Sequence, residues 1–202
     1  MPVKCFAFSL SGTKKRQLPR TLSAIGLDIV LKINENKLHK REKMELIEGN
    51  LKIRYATKND AKILCNWWND GKIMAHAGFP NGINTTVEKI EKQISEETDE
   101  TTRRFIIEIN NEPSGEMNYR NIKNGIAEIG IKICNFSKQE KGHGTKLLKL
   151  LINYLFQELN FIKIILDTKL ENKRAQHVYE KIGFIKTKED EKAIYYELLK
   201  EG

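Results

Sequence analysis

Gly142 and Gly144 stand one residue apart in the run Gln139-Glu140-Lys141-Gly142-His143-Gly144, directly ahead of an apolar helical pattern. Glycine costs backbone entropy, so a pair at a helix start marks a sharp turn or a close approach to the main chain. Two familiar phosphate loops do not fit. A P-loop needs four residues between its glycines and then Lys-Ser/Thr, whereas only His143 separates these two. A dinucleotide fingerprint needs a third small residue at position 147, where Leu147 stands. What remains is a strand, a tight turn and a helix whose first N–H groups point into the turn. That geometry suits a pyrophosphate. A tight connection with no ligand is the alternative on the glycines alone.

The elements that must position this turn are legible from periodicity. Leu51–Tyr55 alternates as a half-buried strand, and residues 57–69 follow as a short helix with Thr57 or Asn59 able to cap it. Residues 70–86 are irregular, broken by Gly71, Gly78, Pro80 and Gly82, before a helix that aligns Val87, Ile90 and Ile94. Three strands are expected over 103–110, 114–123 and 125–133, with Asn124-Gly125 as a strong hairpin signal. Residues 145–159 place Leu147, Leu148, Leu151, Leu155 and Leu159 on one helical stripe. Residues 161–168 read as a strand buried on both faces. A helix follows, stopped by Gly183, and a hairpin over 184–200 closes the chain. This order implies an α/β sandwich built on a mixed sheet.

Composition bounds the functional classes. The net charge of +8 is unevenly placed: residues 1–43 carry 10 Lys/Arg against 3 Asp/Glu, and residues 44–202 carry 25 against 24. The main domain, expected over 44–202, is therefore nearly neutral and lacks the basic footprint of a nucleic-acid binder. Residues 1–43 have no clear period and are expected to be poorly ordered. They read as a functionless extension ahead of a start at Met44, as a charged tether, or as a targeting segment. No apolar run approaches the length of a membrane span, so no membrane partner is expected. Three cysteines, Cys5, Cys65 and Cys134, without metal or CxxC spacing, fit reduced thiols in the cytoplasm. No metal is expected.

Gln139-x-x-Gly142-x-Gly144 resembles the Gln/Arg-x-x-Gly-x-Gly/Ala motif of the GNAT acetyltransferase superfamily. Asn172, Ala175, Tyr179, Gly183 and Phe184 resemble its next motif, in the right order and separated by one strand. The resemblance spans roughly residues 51–199 and is similar to the branch of ribosomal-protein N-terminal and small-amine acetyltransferases. It implies a mostly antiparallel sheet of about seven strands with flanking helices and a splayed, parallel central pair. It also implies acetyl-CoA as co-substrate. In that reading the turn (Lys141, Gly142, His143, Gly144, Thr145, with Gln139) holds the pyrophosphate, mainly through its backbone. The free backbone of Ile131, Lys132 and Ile133 pairs with the pantetheine arm. Asn172 contacts that arm or, alternatively, caps its own helix.

The resemblance further implies direct attack by a primary amine in a ternary complex. Tyr179 is then the acid that protonates the leaving thiolate, against a plain reading as a core aromatic. Glu128, eleven residues before Gln139, is the candidate base. Alternation sets it on the face opposite Ile129, Ile131 and Ile133. Its alternative is a solvated strand face, paired with Lys132 or Arg120. Trp67, Trp68, His76 and Phe79 can wall an acceptor pocket, with Asp70 attracting a cation and Glu116 as a further amine-side charge. Cys134 reads as a packed thiol and not as a nucleophile. The acceptor is expected to be a small-molecule amine or a peptide or protein amine, and the enzyme a monomer or homodimer. A non-catalytic acyl-CoA sensor is the rival reading. It would need the turn and the splayed strands but neither Glu128 nor Tyr179.

Overall fold

Alternation in Leu51–Tyr55 does what the pattern requires: Leu51, Ile53 and Tyr55 are buried while Lys52 and Arg54 are half-buried. The computed structural model describes residues 44–201, apart from the side chain of His76. The expected basic extension, residues 1–43, lies outside the described residues. Ahead of the Leu51–Tyr55 strand, here β2, lies a short edge strand, β1 (Glu45–Glu48), paired to it antiparallel across a turn at Gly49. Only four residues long and mostly exposed, β1 gives no periodic signal. It brings the sheet to eight strands where about seven were expected.

After β2, a 3-10 turn (Lys58–Asp60) leads into helix α1 (Ala61–Asn69). The Asp60 carboxylate holds the turn, accepting from the Thr57 backbone N–H at 2.7 Å and from two nitrogens of Arg54. A four-residue helix α2 (Gly71–Met74) and a 3-10 turn (Ala75–Ala77) occupy the segment read as irregular, and α3 (Val87–Glu96) follows. Strands β3 (Thr102–Ile109), β4 (Glu112–Lys123) and β5 (Ile126–Ile133) then form a meander. Asn124 and Gly125 join β4 to β5 with φ of 52° and 74°, the left-handed pair that a tight hairpin demands. Helix α4 (His143–Gln157), β6 (Lys163–Lys169), α5 (Lys173–Ile182), β7 (Ile185–Glu189) and β8 (Ala193–Leu199) complete the order.

The strand order is β1-β2-β3-β4-β5-β6-β8-β7, antiparallel throughout except for the parallel pair β5/β6. Helix α4 lays Leu147, Leu148, Leu151 and Leu155 on one sheet face, against residues that include Phe105, Tyr119 and Ile129. Burying each such leucine stabilises the fold by about 1.5–3 kcal/mol. The other face carries a smaller core of Ala61 and Leu64 from α1, Ile90 from α3 and Ile106 from β3.

One expectation is corrected. The strand at 161–168 is not buried on both faces: Ile164, Leu166 and Thr168 are buried, but Ile165 is half-buried and Asp167 exposed. The physical reason is the pairing itself. β5 and β6 are in register only over Ile126↔Lys163, Ala127↔Ile164 and Glu128↔Ile165. Beyond that point the strands separate, and the side chains of β6 border a cleft.

Candidate active site

The cleft opened by β5 and β6 holds a cavity of about 960 Å³. Helix α4 points its N-terminus at one end. Gly142 is the N-cap at φ 74°, with no side-chain cap over the first N–H groups, and nothing lies within 4 Å of the position its Cβ would take. A Cβ on Gly144 would meet only Ile133 Cδ1, at 3.9 Å. Both glycines and Thr145 line the cavity. The free N–H groups of a 15-residue helix thus face open space that any side chain would invade. His143 turns away, its Nδ1 lying 3.1 Å from the Lys138 carbonyl, and Lys141 is exposed outside the cavity wall.

The edge of β5 supplies the second feature. The Lys132 carbonyl points towards Gly115 in β4, so alternation turns the backbone groups of Ile131 and Ile133 towards the gap. No strand stands opposite them after Glu128↔Ile165. Gln139 satisfies one of these groups, its side-chain N–H donating to the Ile133 carbonyl at 2.8 Å. Gln139 therefore ties the turn to the strand edge. The remaining donors and acceptors need a ligand or water. An extended amide-bearing arm ending in a pyrophosphate matches this set: strand-like pairing along β5, then anion contacts at α4. Coenzyme A fits. Asn172 lines the same cavity, and its side-chain oxygen accepts from the Ala175 N–H at 3.2 Å as a helix cap.

Tyr179 stands on the wall of the cavity, buried between Phe184 and Tyr196. Among the described residues its hydroxyl has no hydrogen-bond partner. Burial, reinforced by the Asp167 carboxylate, pushes the phenol up to about 12, so it holds its proton at neutral pH. Glu128 is not free. Arg120, directly opposite in β4, donates to its carboxylate from Nε at 2.8 Å and also from Nη2. The pair borders a separate cavity of about 330 Å³ with Thr102 and Asn118. Cys134 is buried at the end of β5, and burial pushes its thiol up to about 12.

The residues expected around an acceptor are only partly brought together. Trp68 donates from Nε1 to Glu116 at 2.7 Å, and the Arg104 guanidinium lies 4.4 Å over its ring. Glu116 is buried and also accepts from Lys132 Nζ at 3.1 Å on the same oxygen. Its other oxygen has no partner among the described residues. Trp67 packs against the α1–α3 core. Asp70 caps α2, its Oδ1 accepting from the N–H groups of Lys72 and Ile73. Phe79 is exposed, and the side chain of His76 lies outside the described structure.

Two residues of β6 escape any reading of periodicity. Asp167 borders the cavity with no hydrogen-bond or ion-pair partner among the described residues. Lys169 reaches across the gap to the Ala75 carbonyl at 2.8 Å, while Lys132 reaches Met74 Sδ at 2.9 Å from the β5 side. Both lysines therefore pin the segment 74–75 over the opening. The only sequence signal for Asp167 was a single acid ending an apolar run, which is common at strand ends.

Comparisons with known proteins agree on one family. Residues 50–185 match the family model described as an acetyltransferase (GNAT) domain. Spermidine N(1)-acetyltransferase of Escherichia coli is 30% identical over 136 residues, covering 66% of this chain and 72% of that protein. Aminoglycoside N(6')-acetyltransferase type 1 of Klebsiella pneumoniae is 29% identical over 145 residues, covering 65% and 72%. Among solved structures, an aminoglycoside acetyltransferase in complex with coenzyme A superposes with a TM-score of 0.63 at 26% identity, over 74% of this chain and 94% of that one. A spermidine N-acetyltransferase from Vibrio cholerae, in complex with CoA and spermine, shares the fold with a TM-score of 0.67 at 23% identity, over 75% and 96%.

Proposed function

The chain belongs to the GNAT acetyltransferase family, whose co-substrate is acetyl-CoA, and from that premise we propose that it acetylates a primary amine of a small cationic acceptor by direct attack in a ternary complex. The observation that carries this reading is the end of the β5–β6 ladder at Glu128↔Ile165, with the glycine turn at one end of the cleft and Tyr179 on its wall. When bound, acetyl-CoA supplies a thioester carbon for the amine and a sulfur that leaves with the bonding electrons.

The chain's own residues divide the remaining work. The N–H groups at Gly142–Thr145 hold the pyrophosphate, and the gap-facing backbone of Ile131 and Ile133 pairs with the pantetheine arm, the Lys132 carbonyl being turned to the other edge, towards β4. Asn172 fixes the start of α5 and so the position of Tyr179 two turns on. Tyr179 holds a proton at its hydroxyl oxygen, ready for the departing sulfur. The amine must lose a proton before it attacks, and carboxylates on the acceptor side serve that need. Glu128 is the base to which the resemblance points. With Arg120 on its carboxylate, we assign it to holding the acceptor wall polar. Glu116 belongs on the amine side, where an ammonium or ordered water would satisfy its unpartnered oxygen.

A small cationic amine is favoured over a peptide because the named relatives act on spermidine and aminoglycosides. Residues 44–202 would form the catalytic domain and residues 1–43 an accessory basic extension. Cys65 and Cys134 are unpaired thiols, which supports a reducing compartment such as the cytoplasm. No helix among the described residues is long and apolar enough to cross a membrane. The test is thiol release from acetyl-CoA with spermidine, kanamycin and short peptides as acceptors. Release with the first two and not with peptides is the expected result; release with peptides alone would refute the small-amine reading.

A further inference from the structure

Glu128 and Asp167 lie on the same face of the sheet. Glu128 is level with Ile165 across the parallel pair, and Asp167 is two residues further along β6, so their side chains share a face. Extending that register puts Gly130 level with Asp167 across the gap. Gly130 has no side chain to block the opening, and a Cβ there would come within 3.0 Å of Asn118 Oδ1. Asp167 therefore looks over an open slot between the strands. The two carboxylates differ in one respect. Glu128 is bound by a guanidinium, whereas Asp167 has no hydrogen-bond or ion-pair partner among the described residues and borders the same cavity as Tyr179.

We propose that Asp167 is the catalytic carboxylate that takes the proton from the acceptor amine. The proposal rests on the amine-acetylation reading above and names the base within it. Asp167 receives the ammonium proton at a carboxylate oxygen and later returns it to water. The freed nitrogen lone pair then forms the C–N bond as the C–S bond breaks. Tyr179 gives its proton to sulfur and is made whole by the second proton that nitrogen loses, so charge and protons balance.

The surroundings suit a base working near neutrality. Although its side chain reaches solvent, partial desolvation in the cleft pushes the Asp167 carboxyl up from its ordinary value, and the carboxylates of Glu128 on β5 and Asp190 ahead of β8 push it further. The other titratable groups lining its cavity are Tyr195 on β8, Tyr179 and Arg174 on α5, Lys132 on β5, Lys72 on α2, Glu140 in the glycine turn, and Lys169 and Lys192. Of these, Tyr195 is committed to Asp190 and Lys169 to the Ala75 carbonyl.

Two measurements decide the matter. Carbon-13 NMR of ligand-free protein labelled at the aspartate carboxyls gives a resonance absent from Asp167→Asn. That resonance should titrate above the free-aspartate value of about 3.9. Rate against pH, with acetyl-CoA and either spermidine or kanamycin, should show Asp167→Asn losing about 10²–10⁴ in kcat/KM together with the acidic limb. Its coenzyme affinity by calorimetry should stay unchanged, and Asp167→Glu should recover part of the rate. Glu128→Gln should lose less. Asp167 is exposed and without partners, so the variants should fold, as melting curves would verify. A titration at or below about 3.9, or a loss in Glu128→Gln as large as that in Asp167→Asn, overturns the proposal. Wild-type protein that releases thiol with neither amine refutes the parent reading instead, and the proposal falls with it.

Discussion

Replacing Gly144 by valine should separate ligand binding from folding. Gly144 is the second residue of α4, and a Cβ there would meet only the far end of Ile133 at 3.9 Å. A Cβ meets no clash there, and valine is better tolerated in a helix than glycine by about 0.3 kcal/mol. Stability should therefore hold or rise slightly. The branched side chain would instead occupy the space above the first N–H groups, where the pyrophosphate is to sit. A hydrogen bond to a charged group contributes roughly 1.5–3 kcal/mol. Losing one predicts coenzyme A binding weakened by about ten- to a hundredfold. Calorimetric titration with coenzyme A, alongside a thermal melt, reads both quantities without any acceptor. Unchanged affinity in a folded variant would refute the reasoning and leave the turn a mere connection. A large fall in melting temperature would show that the glycine serves packing.

Tyr179→Phe should slow turnover by about 10², the loss persisting at high pH because a free amine cannot replace a proton donor; near-normal rates of thiol release would remove Tyr179 from the chemistry. The Asp60 carboxyl is held below its ordinary value by Arg54 and Thr57, against the cost of burial, so it contributes stability above its unfolded value near 3.9. That contribution is lost as pH falls through the lower folded value, so Asp60→Asn should lower the melting temperature at neutral pH and flatten its decline in acid. A chain starting at Met44 should match the full chain in melting temperature and coenzyme affinity. One starting at Leu51 should melt lower, because it loses the β1 ladder and the buried Met44.

The glycine turn, the Asn124-Gly125 hairpin and the α4 stripe were legible because each depends on residues near one another in sequence. For Glu128 the sequence left two alternatives open, a base or an ion pair with Lys132 or Arg120, and what decides between the two partners is a single residue. A count outward from the hairpin, starting at Lys123↔Ile126, places Asn121 opposite Glu128. The bulge between Asn121 and Lys123 shifts the register by one and brings Arg120 there instead. Periodicity carries no mark of such an insertion. Nothing in the sequence singles out Asp167, for a related cause. Its exposure depends on where two strands whose partners are 37 residues apart, as in Ile126↔Lys163, stop pairing, a property of neither strand alone. Asp70 shows a different overlap: a cap and a cation site ask for the same side chain, and the cap appears only once the Lys72 and Ile73 N–H groups are placed.

Cys134 follows directly after the strand edge proposed to hold the pantetheine arm, so a thiol lies one residue from a bound thioester's path. A free cysteine, with a pKa near 8.5, would be a few per cent thiolate at neutral pH and a faster acyl acceptor than most amines. With its pKa pushed up to about 12, roughly one Cys134 in 10⁵ is ionised at pH 7. The sulfur also lies 3.8 Å from the Lys132 carbonyl, on the side of the strand that faces β4 and not the gap. Burial thus silences the nearest competing nucleophile. The enzyme should not acylate itself at this position, and each acetyl group it accepts is reserved for the incoming nitrogen.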